Sequence, residues 1–175
     1  IDCNELRKNI GIVLQDTVLF TDTVKNNLKY SNDNASDEDM VNAAIMSNCD
    51  EMIRNLPSGY DTVLTQSGQN ISQGQKQLLT IARAFVAQPK ILILDEATSS
   101  IDTRTEKKIQ DAMVKLMHNR TSLIIAHRLS TIRDADMIVV MDKGHIVETG
   151  KHEELLKAKG KYYDLYMTQF EGKNT

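Results

Sequence analysis

Ile-Leu-Ile-Leu-Asp-Glu, residues 91–96, places two carboxylates directly after a short apolar run. Four consecutive apolar residues predict a buried strand that is covered on both faces, which is typical of a parallel sheet. Ligands of open α/β sheets bind beyond the carboxyl ends of the strands. There Asp95 is a candidate ligand of Mg²⁺, commonly through water, and Glu96 can orient or deprotonate a water molecule. The alternative is a strand that ends in a solvated acidic turn.

The patterns on both sides of this strand predict alternating strands and helices. We expect strands at residues 10–14, 123–126, 137–141 and 145–148, helices at 37–56, 72–88 and 103–117, and two short helices within 152–170, broken at Gly160. This alternation predicts an α/β fold with a largely parallel sheet flanked by helices. The mostly helical stretch 31–88 is predicted to be a helical subdomain inserted into a core made by residues 1–30 and 89–175.

Serine and threonine residues mark the predicted helix starts. Ser36 is the expected N-cap of the first long helix, and Thr103 with Glu106 forms a possible capping box in the third. Ser72 and Gln75 have the same spacing at the start of the second. Free N–H groups at such a start favour an anion such as phosphate, and Gly74 would let it approach the backbone. An ordinary capped helix explains the same residues.

Two further polar residues follow predicted strands. His127 comes directly after the strand at 123–126, and Gln15 ends the strand at 10–14. An imidazole N–H can donate to a phosphate oxygen, and an amide oxygen can ligate a metal or bind its water. Each residue taken alone fits a structural role equally well.

Composition narrows the class of protein. The 175 residues are 41% hydrophobic and 26% charged, which fits one globular domain. The net charge of −3 and the absence of a basic stripe argue against a nucleic-acid partner. No apolar run reaches the roughly 18 to 20 residues that cross a bilayer. Cys3 and Cys49 lack the spacing of a metal site and are expected to be reduced thiols.

Taken in order, these features resemble the ABC ATPase family, which has a P-loop NTPase-like fold. The match rests on Gln15 after a strand, ISQGQ at 71–75, ILILDE at 91–96 and His127 after a strand. The connecting segments GYDT at 59–62, ARA at 82–84, DEATSSID at 95–102 and IIAHRLSTI at 124–132 are also similar to that family. The resemblance covers essentially the whole chain.

The resemblance implies a role for each candidate residue in binding and hydrolysing ATP with Mg²⁺. Gln15 would lie near Mg²⁺ and the coupling surface, and Asp95 would be the metal carboxylate. Glu96 would be the catalytic base, and His127 would contact the γ-phosphate.

The same resemblance implies a head-to-tail dimer with a second ABC ATPase domain, which holds two ATP molecules between the subunits. Residues 72–75, which are Ser72, Gln73, Gly74 and Gln75, would contact the ATP of the opposite subunit. Ser99 and Asp102 would bound a loop that crosses the dimer interface. Closing and reopening the dimer would move an attached transmembrane domain at the cytoplasmic face of the plasma membrane.

Two segments are similar to the exporter branch of the family. GIVLQDTVLFTDTVKNNL at 11–28 is similar to exporters whose membrane and ATPase parts share one polypeptide. TQSGQN at 65–70 occupies the place of the segment that touches the intracellular loops, although Gln66 and Gln69 depart from the usual pattern.

Two departures from the family pattern matter for activity. The chain contains no G-x-x-x-x-G-K-S/T phosphate loop, so we expect the N-terminal strands and that loop to be missing. The chain by itself should then be inactive, bind ATP weakly and self-associate through uncovered apolar surface.

Gln73 stands where the family usually has glycine. Either it impairs one ATP site of a heterodimer, or it points away and the parent is a homodimer.

The sequence also has to be weighed against two other functions. A soluble ABC-family ATPase would carry basic surfaces or coiled-coil insertions, and neither is present in the sequence. A non-enzymatic binding or regulatory piece is the other alternative, because the phosphate loop is absent. Membrane spans in the parent protein would indicate a transporter.

Overall fold

The computed structural model describes residues 2–14, 18–65, 70–95, 101–126 and 129–171. Gln15, Glu96, Ser99 and His127 therefore lie outside the described residues. The chain divides into two compact units, Ile1–Ile125 and Ala126–Thr175. None of the helices within the described ranges has the length and apolar character that a membrane span requires.

A three-stranded parallel sheet organises the first unit. Its elements in chain order are α1 (Cys3–Lys8), β1 (Ile10–Val13), α2 (Val24–Lys29), α3 (Asp37–Met46), α4 (Asp50–Arg54), a 3₁₀ turn (Gly59–Asp61), α5 (Gln73–Ala87), β2 (Ile91–Asp95), α6 (Thr103–Met117) and β3 (Thr121–Ile125). The strand order is β1-β2-β3, with both pairs parallel. The predicted α/β class with a parallel sheet is thus confirmed.

One face of this sheet is sealed by helices. Leu92 and Leu94 of the central strand are fully buried and belong to the same core cluster as residues of α5 and α6. The residues of α5 and α6 that are exposed by 1% or less in that cluster are Leu79, Ile81, Ala82, Ile109, Ala112 and Leu116. The core therefore lies between the sheet and these two helices.

The opposite face of the sheet is open. Ile12, Ile91, Leu123 and Ile125 are 54%, 37%, 60% and 51% exposed. The prediction that the strand at 91–94 is covered on both faces is therefore wrong within the described residues. An apolar run shows that both faces of a strand are apolar, but it does not say which element covers each face.

The long helix predicted at 37–56 is two helices, α3 and α4. Asn48 interrupts them with a φ of 60°, a conformation that asparagine tolerates better than most residues. Its side chain then connects to α6: Nδ2 donates to the carbonyl of Lys108 at 3.0 Å, and Nζ of Lys115 donates to Oδ1 at 3.2 Å. The break is missed by periodicity because it depends on this contact with a distant helix.

The predicted helix starts are partly confirmed. Ser36 caps α3 by accepting the N–H of Asp39 at 3.0 Å. The box predicted for Thr103 and Glu106 is wrong, because α6 is capped one residue earlier by Asp102. Helices α1 and α2 were not expected, since six residues are too few to show a clear helical period.

The second unit consists of α7 (Leu129–Ile132), the antiparallel strands β4 (Ile138–Asp142) and β5 (His145–Gly150), and the helices α8 (His152–Ala158) and α9 (Lys161–Glu171). The hairpin and the break at Gly160 agree with the sequence prediction. Ile138 and Val140 pack with Leu155 and Tyr162 in a small core. Val139 and Met141 are exposed, so the strand expected to be buried is buried on one face only.

Leu79→Ala should strongly destabilise the first unit. Leu79 is 1% exposed in the core between α5 and the sheet, so truncation leaves a cavity and should lower the free energy of unfolding by about 2 to 5 kcal/mol. Urea unfolding of the purified chain measures this. Val114→Ala is the control, since Val114 on α6 is 65% exposed and should cost far less. Equal losses for the two variants would contradict the described core.

Candidate functional site

The carboxyl ends of the three parallel strands meet at one edge of the sheet. Val13 pairs with Leu94, and Asp95 pairs with Ile125. Adjacent strands lie about 4.8 Å apart, so the three chain ends are close neighbours. Among the predicted site residues, Gln15 follows Val13 by two positions, Glu96 follows Asp95 directly, and His127 follows Ile125 by two positions. The strand register thus brings the carboxyl ends of β1, β2 and β3 together, although these strands are far apart in sequence.

Asp95 is the one predicted metal ligand within the described residues. It ends β2 with its side chain partly exposed. Side chains alternate along a strand, so Asp95 shares a face with Ile91 and Ile93 rather than with buried Leu92 and Leu94. Within the described residues no group of three or more His, Cys, Asp or Glu forms a ready-made metal cage. One strand-end carboxylate still fits Mg²⁺, because that ion retains several waters and takes one or two carboxylates.

The start of α5 carries the predicted capping box. Ser72 Oγ accepts the N–H of Gln75 at 3.3 Å, and Gln75 Oε1 accepts the N–H of Ser72 at 2.8 Å. The remaining first-turn N–H groups of a helix lack intrahelical acceptors, and they carry the positive end of the helix dipole. Ser72 and Gln73 are exposed, so this helix end faces solvent and can receive an anionic group.

Gly74 has a packing role that its sequence position does not reveal. A Cβ at this position would lie 2.4 Å from Cγ2 of Thr105 and 3.1 Å from Cγ2 of Ile101. The start of α5 therefore packs directly against the start of α6, and only glycine leaves room for this approach. Gln73 beside it is exposed, so its longer side chain does not enter this contact.

Asp102 lies at the same junction. Its Oδ1 accepts the N–H of Thr105 at 3.0 Å as the N-cap of α6. Hydrogen bonds from the backbone and side chain of Thr105 hold the pKa of the Asp102 carboxyl below its usual value. Because Thr105 also lies against Gly74, the turn predicted to contact the ATP of an opposite subunit is a neighbour of the residue that ends the loop predicted to cross the dimer interface.

The sequence interpretation missed one half-buried charged side chain, that of Arg83. Arg83 lies among apolar residues of α5, and its side chain hydrogen-bonds Asn27, which is 1% exposed. The signal was available in the sequence, because one arginine interrupts the apolar stretch from Ile81 to Val86. Its partner could not be identified from spacing, since the two residues are 56 positions apart.

Comparisons with known proteins identify the relatives of this chain. The family model described as ABC transporter matches residues 1–99. An uncharacterised ABC transporter ATP-binding protein of Bacillus subtilis (strain 168) is 57% identical over 95% of the chain. An ATP-dependent lipid A-core flippase of Syntrophus aciditrophicus (strain SB) is 53% identical over 94% of it. A putative multidrug export ATP-binding/permease protein of Staphylococcus aureus (strain NCTC 8325 / PS 47) is 54% identical over 94% of it.

A solved structure gives the same result for the fold. The structure of a bacterial Atm1-family ABC exporter with ATP bound superimposes with a TM-score of 0.86, at 44% identity and over 95% of this chain. The chain spans 28% of the length of each of these three relatives and 29% of the solved exporter chain. Sequence and fold together show that the chain belongs to the ABC transporter family.

Proposed function

We propose that this chain is the larger part of the ATP-hydrolysing domain of an ABC exporter, at the cytoplasmic face of the plasma membrane. The observation that supports this most directly is the register of β1, β2 and β3. It aligns the strand ends that precede Gln15, Glu96 and His127 at one edge of the sheet. A putative multidrug export protein at 54% identity and a solved ABC exporter at 44% identity support the same conclusion.

In this proposal the strand-end residues divide the work of hydrolysis. Asp95 and Gln15 would hold Mg²⁺, which would supply positive charge to neutralise the phosphate oxygens. Glu96 accepts a proton from the attacking water, which makes that water a better nucleophile. His127 donates a hydrogen bond to the terminal phosphate and so stabilises charge that develops there.

We further propose that the exposed start of α5 serves a second ATPase domain in a head-to-tail dimer. Ser72 and Gln73 are exposed, and the helix end offers N–H donors to an anion. The contact between Gly74 and Thr105 ties this end to the α6 start that Asp102 caps. Both elements would therefore reach the partner domain as one rigid surface.

Two forms of that dimer remain to be distinguished. The exposed side chain of Gln73 can point away from the nucleotide in a homodimer, or it can crowd the ATP of the opposite subunit in a heterodimer. A heterodimer requires a second, different subunit for full activity. Reconstituting the intact parent alone distinguishes these cases, since full ATP turnover would exclude the heterodimer.

We propose that a transmembrane domain elsewhere in the parent selects the exported cargo. Relatives at 53% and 54% identity are named for lipid A-core flipping and for multidrug export. These two relatives are almost equally similar to this chain, although their names give different cargo. In this proposal the residues of this chain therefore supply energy for transport and do not choose the substrate.

Glu96→Gln in the intact parent should lower ATP turnover by about a hundredfold or more, the usual scale for losing a general base. Binding of ATP should persist, because the amide has nearly the same shape. Steady-state phosphate release measures turnover, and nucleotide binding is measured separately. Glu153→Gln, at an exposed position of α8, is the matched control and should change neither turnover nor binding. Normal turnover in Glu96→Gln would remove this residue from the proposed role.

Gly74→Ala should lower turnover of the intact parent by about tenfold to a hundredfold, because displacement of a catalytic element by about 1 Å has effects on this scale. The added methyl group would collide with Thr105 and push the start of α5 away from α6. The comparison variant is Gln73→Ala at an exposed position, for which we expect a smaller loss. A larger loss for Gln73→Ala would contradict the packing explanation.

The chain alone should bind Mg-ATP weakly or not at all. Its sequence lacks the phosphate loop whose backbone N–H groups and lysine grip the phosphates. Calorimetric titration of the purified chain with Mg-ATP tests this, and the intact parent serves as the positive control. Micromolar binding to the chain alone would show that its own residues are sufficient to hold the nucleotide.

A further inference from the structure

Arg83 connects α5 to the loop that follows Gln15. Its Nε donates to the carbonyl of Asn27 at 3.0 Å, its Nη2 to Asn27 Oδ1 at 3.1 Å, and its Nη1 to the carbonyl of Val18 at 3.1 Å. Its guanidinium carbon also lies 5.5 Å from the ring centroid of Phe20 and 5.8 Å from that of Tyr30. One side chain therefore bonds two backbone carbonyls and packs against two rings.

Asn27 adds hydrogen bonds between its own side chain and the backbone of the same loop. Its Oδ1 accepts the N–H of Phe20 at 2.9 Å, and its Nδ2 donates to the carbonyls of Phe20 and Thr23, each at 3.0 Å. Both backbone polar groups of Phe20 are thus held by a side chain that is 1% exposed. We call Arg83, Asn27, Phe20 and Tyr30 the Arg83 clamp. The clamp fixes the position of residues 18–22 relative to α5.

The clamped loop is also joined to the chain that leads into the segment 65–70. The N–H of Val24 donates to the carbonyl of Thr62 at 3.0 Å, and the N–H of Leu64 donates to the carbonyl of Asp22 at 2.9 Å. Residues 22–24, at the start of α2, and residues 62–64, which follow α4, are therefore held to one another by backbone hydrogen bonds. A displacement of residues 18–22 would carry residues 62–64 with it.

The clamp lies far from the site end of the same helix. Arg83 follows Ser72 by eleven residues, which corresponds to about 16 Å along an α-helix. Val18, Phe20 and Tyr30 are 65%, 40% and 63% exposed, so the outer side of the clamp is an accessible aromatic and apolar surface. A rigid helix thus has the candidate nucleotide-contacting turn at one end and an accessible surface patch at the other.

We propose that Arg83 is a positioning residue that transmits movement between the Ser72–Gln75 end of α5 and the loop at 18–22. This rests on the proposed function, because the movement starts when Ser72–Gln75 engages nucleotide. The clamp carries the displacement of α5 to the loop after Gln15 and to the segment that leads into residues 65–70. Arg83 touches neither the nucleotide nor the reacting atoms.

The chemistry of the clamp requires arginine rather than a general positive charge. Its hydrogen-bond acceptors among the described residues are carbonyl and amide oxygens, so directional bonds hold it in place. Burial lowers the pKa of the Arg83 guanidinium, but arginine stays protonated in proteins. A planar fork that stacks on rings and donates in three directions is not reproduced by the single ammonium group of lysine.

The test compares Arg83→Lys with wild type in the intact exporter, with Mg-ATP plus vanadate as the nucleotide probe. Hydrogen exchange of peptides covering 18–28 should respond to the probe in wild type. In Arg83→Lys that response should fall by about fivefold or more, the lower end of usual coupling between sites. The response of peptides covering 72–80 should persist, and the KM for ATP should stay within about twofold. A purely structural defect would alter both regions together.

Arg54→Lys is the matched control. Arg54 is exposed on α4 and bonds Asp50 of the same helix at 2.8 Å, so this variant makes the same substitution outside the clamp. Its response at 18–28 should equal that of wild type. Equal responses in wild type, Arg54→Lys and Arg83→Lys overturn the proposal, as do equal losses in the two lysine variants.

Phe20→Leu keeps the test decisive if Arg83→Lys does not fold. It removes the ring beside the guanidinium at a position that is 40% exposed and keeps an apolar side chain. We expect a reduced response at 18–28 in Phe20→Leu alone. If Arg83→Lys does fold, combining the two variants should give no further loss, since both act in one network. An unchanged response in Phe20→Leu overturns the clamp. Absence of ATP hydrolysis in wild type would instead contradict the proposed function.

Discussion

The in-register pairing of β1, β2 and β3 is the constraint on which the rest of the chain depends. Parallel neighbours cannot be joined by a tight turn, so each connection crosses back over the sheet through helices. Here α5 and α6 provide these crossings, and they seal Leu92 and Leu94 on one face. The same geometry leaves all three strands of this sheet with their carboxyl ends at one edge. The candidate site at that edge is therefore a consequence of how the chain builds its core.

Close helix packing adds a second layer of organisation. Gly74 lets the start of α5 approach Thr105, and Asp102 caps the helix that carries Thr105. Asn48 ties the break between α3 and α4 to the middle of α6. The helices thus meet α6 at two separate places, and the Arg83 clamp joins α5 to the loop that leads into α2. Helices held together at several points transmit displacement better than helices joined by one flexible link.

Both units expose apolar side chains on one face of their strands. Ile12, Leu123 and Ile125 leave an apolar face of the sheet in contact with solvent, and Val139 and Met141 do the same on the hairpin of the second unit. Extended apolar patches of this kind mark surfaces that contact other protein.

The sequence by itself determined the α/β class, the parallel strands, the capping box of Ser72 and Gln75, and the family. These features follow from local patterns, namely apolar runs, helix caps and motifs of fixed spacing. Tertiary structure alone decided that the strand at 91–94 is covered on one face, that Asn48 divides a predicted helix, and that Arg83 clamps the loop at 18–22. Each of these depends on partners tens of residues away, and the free energy of such contacts leaves no periodic signal in the sequence around any one of them.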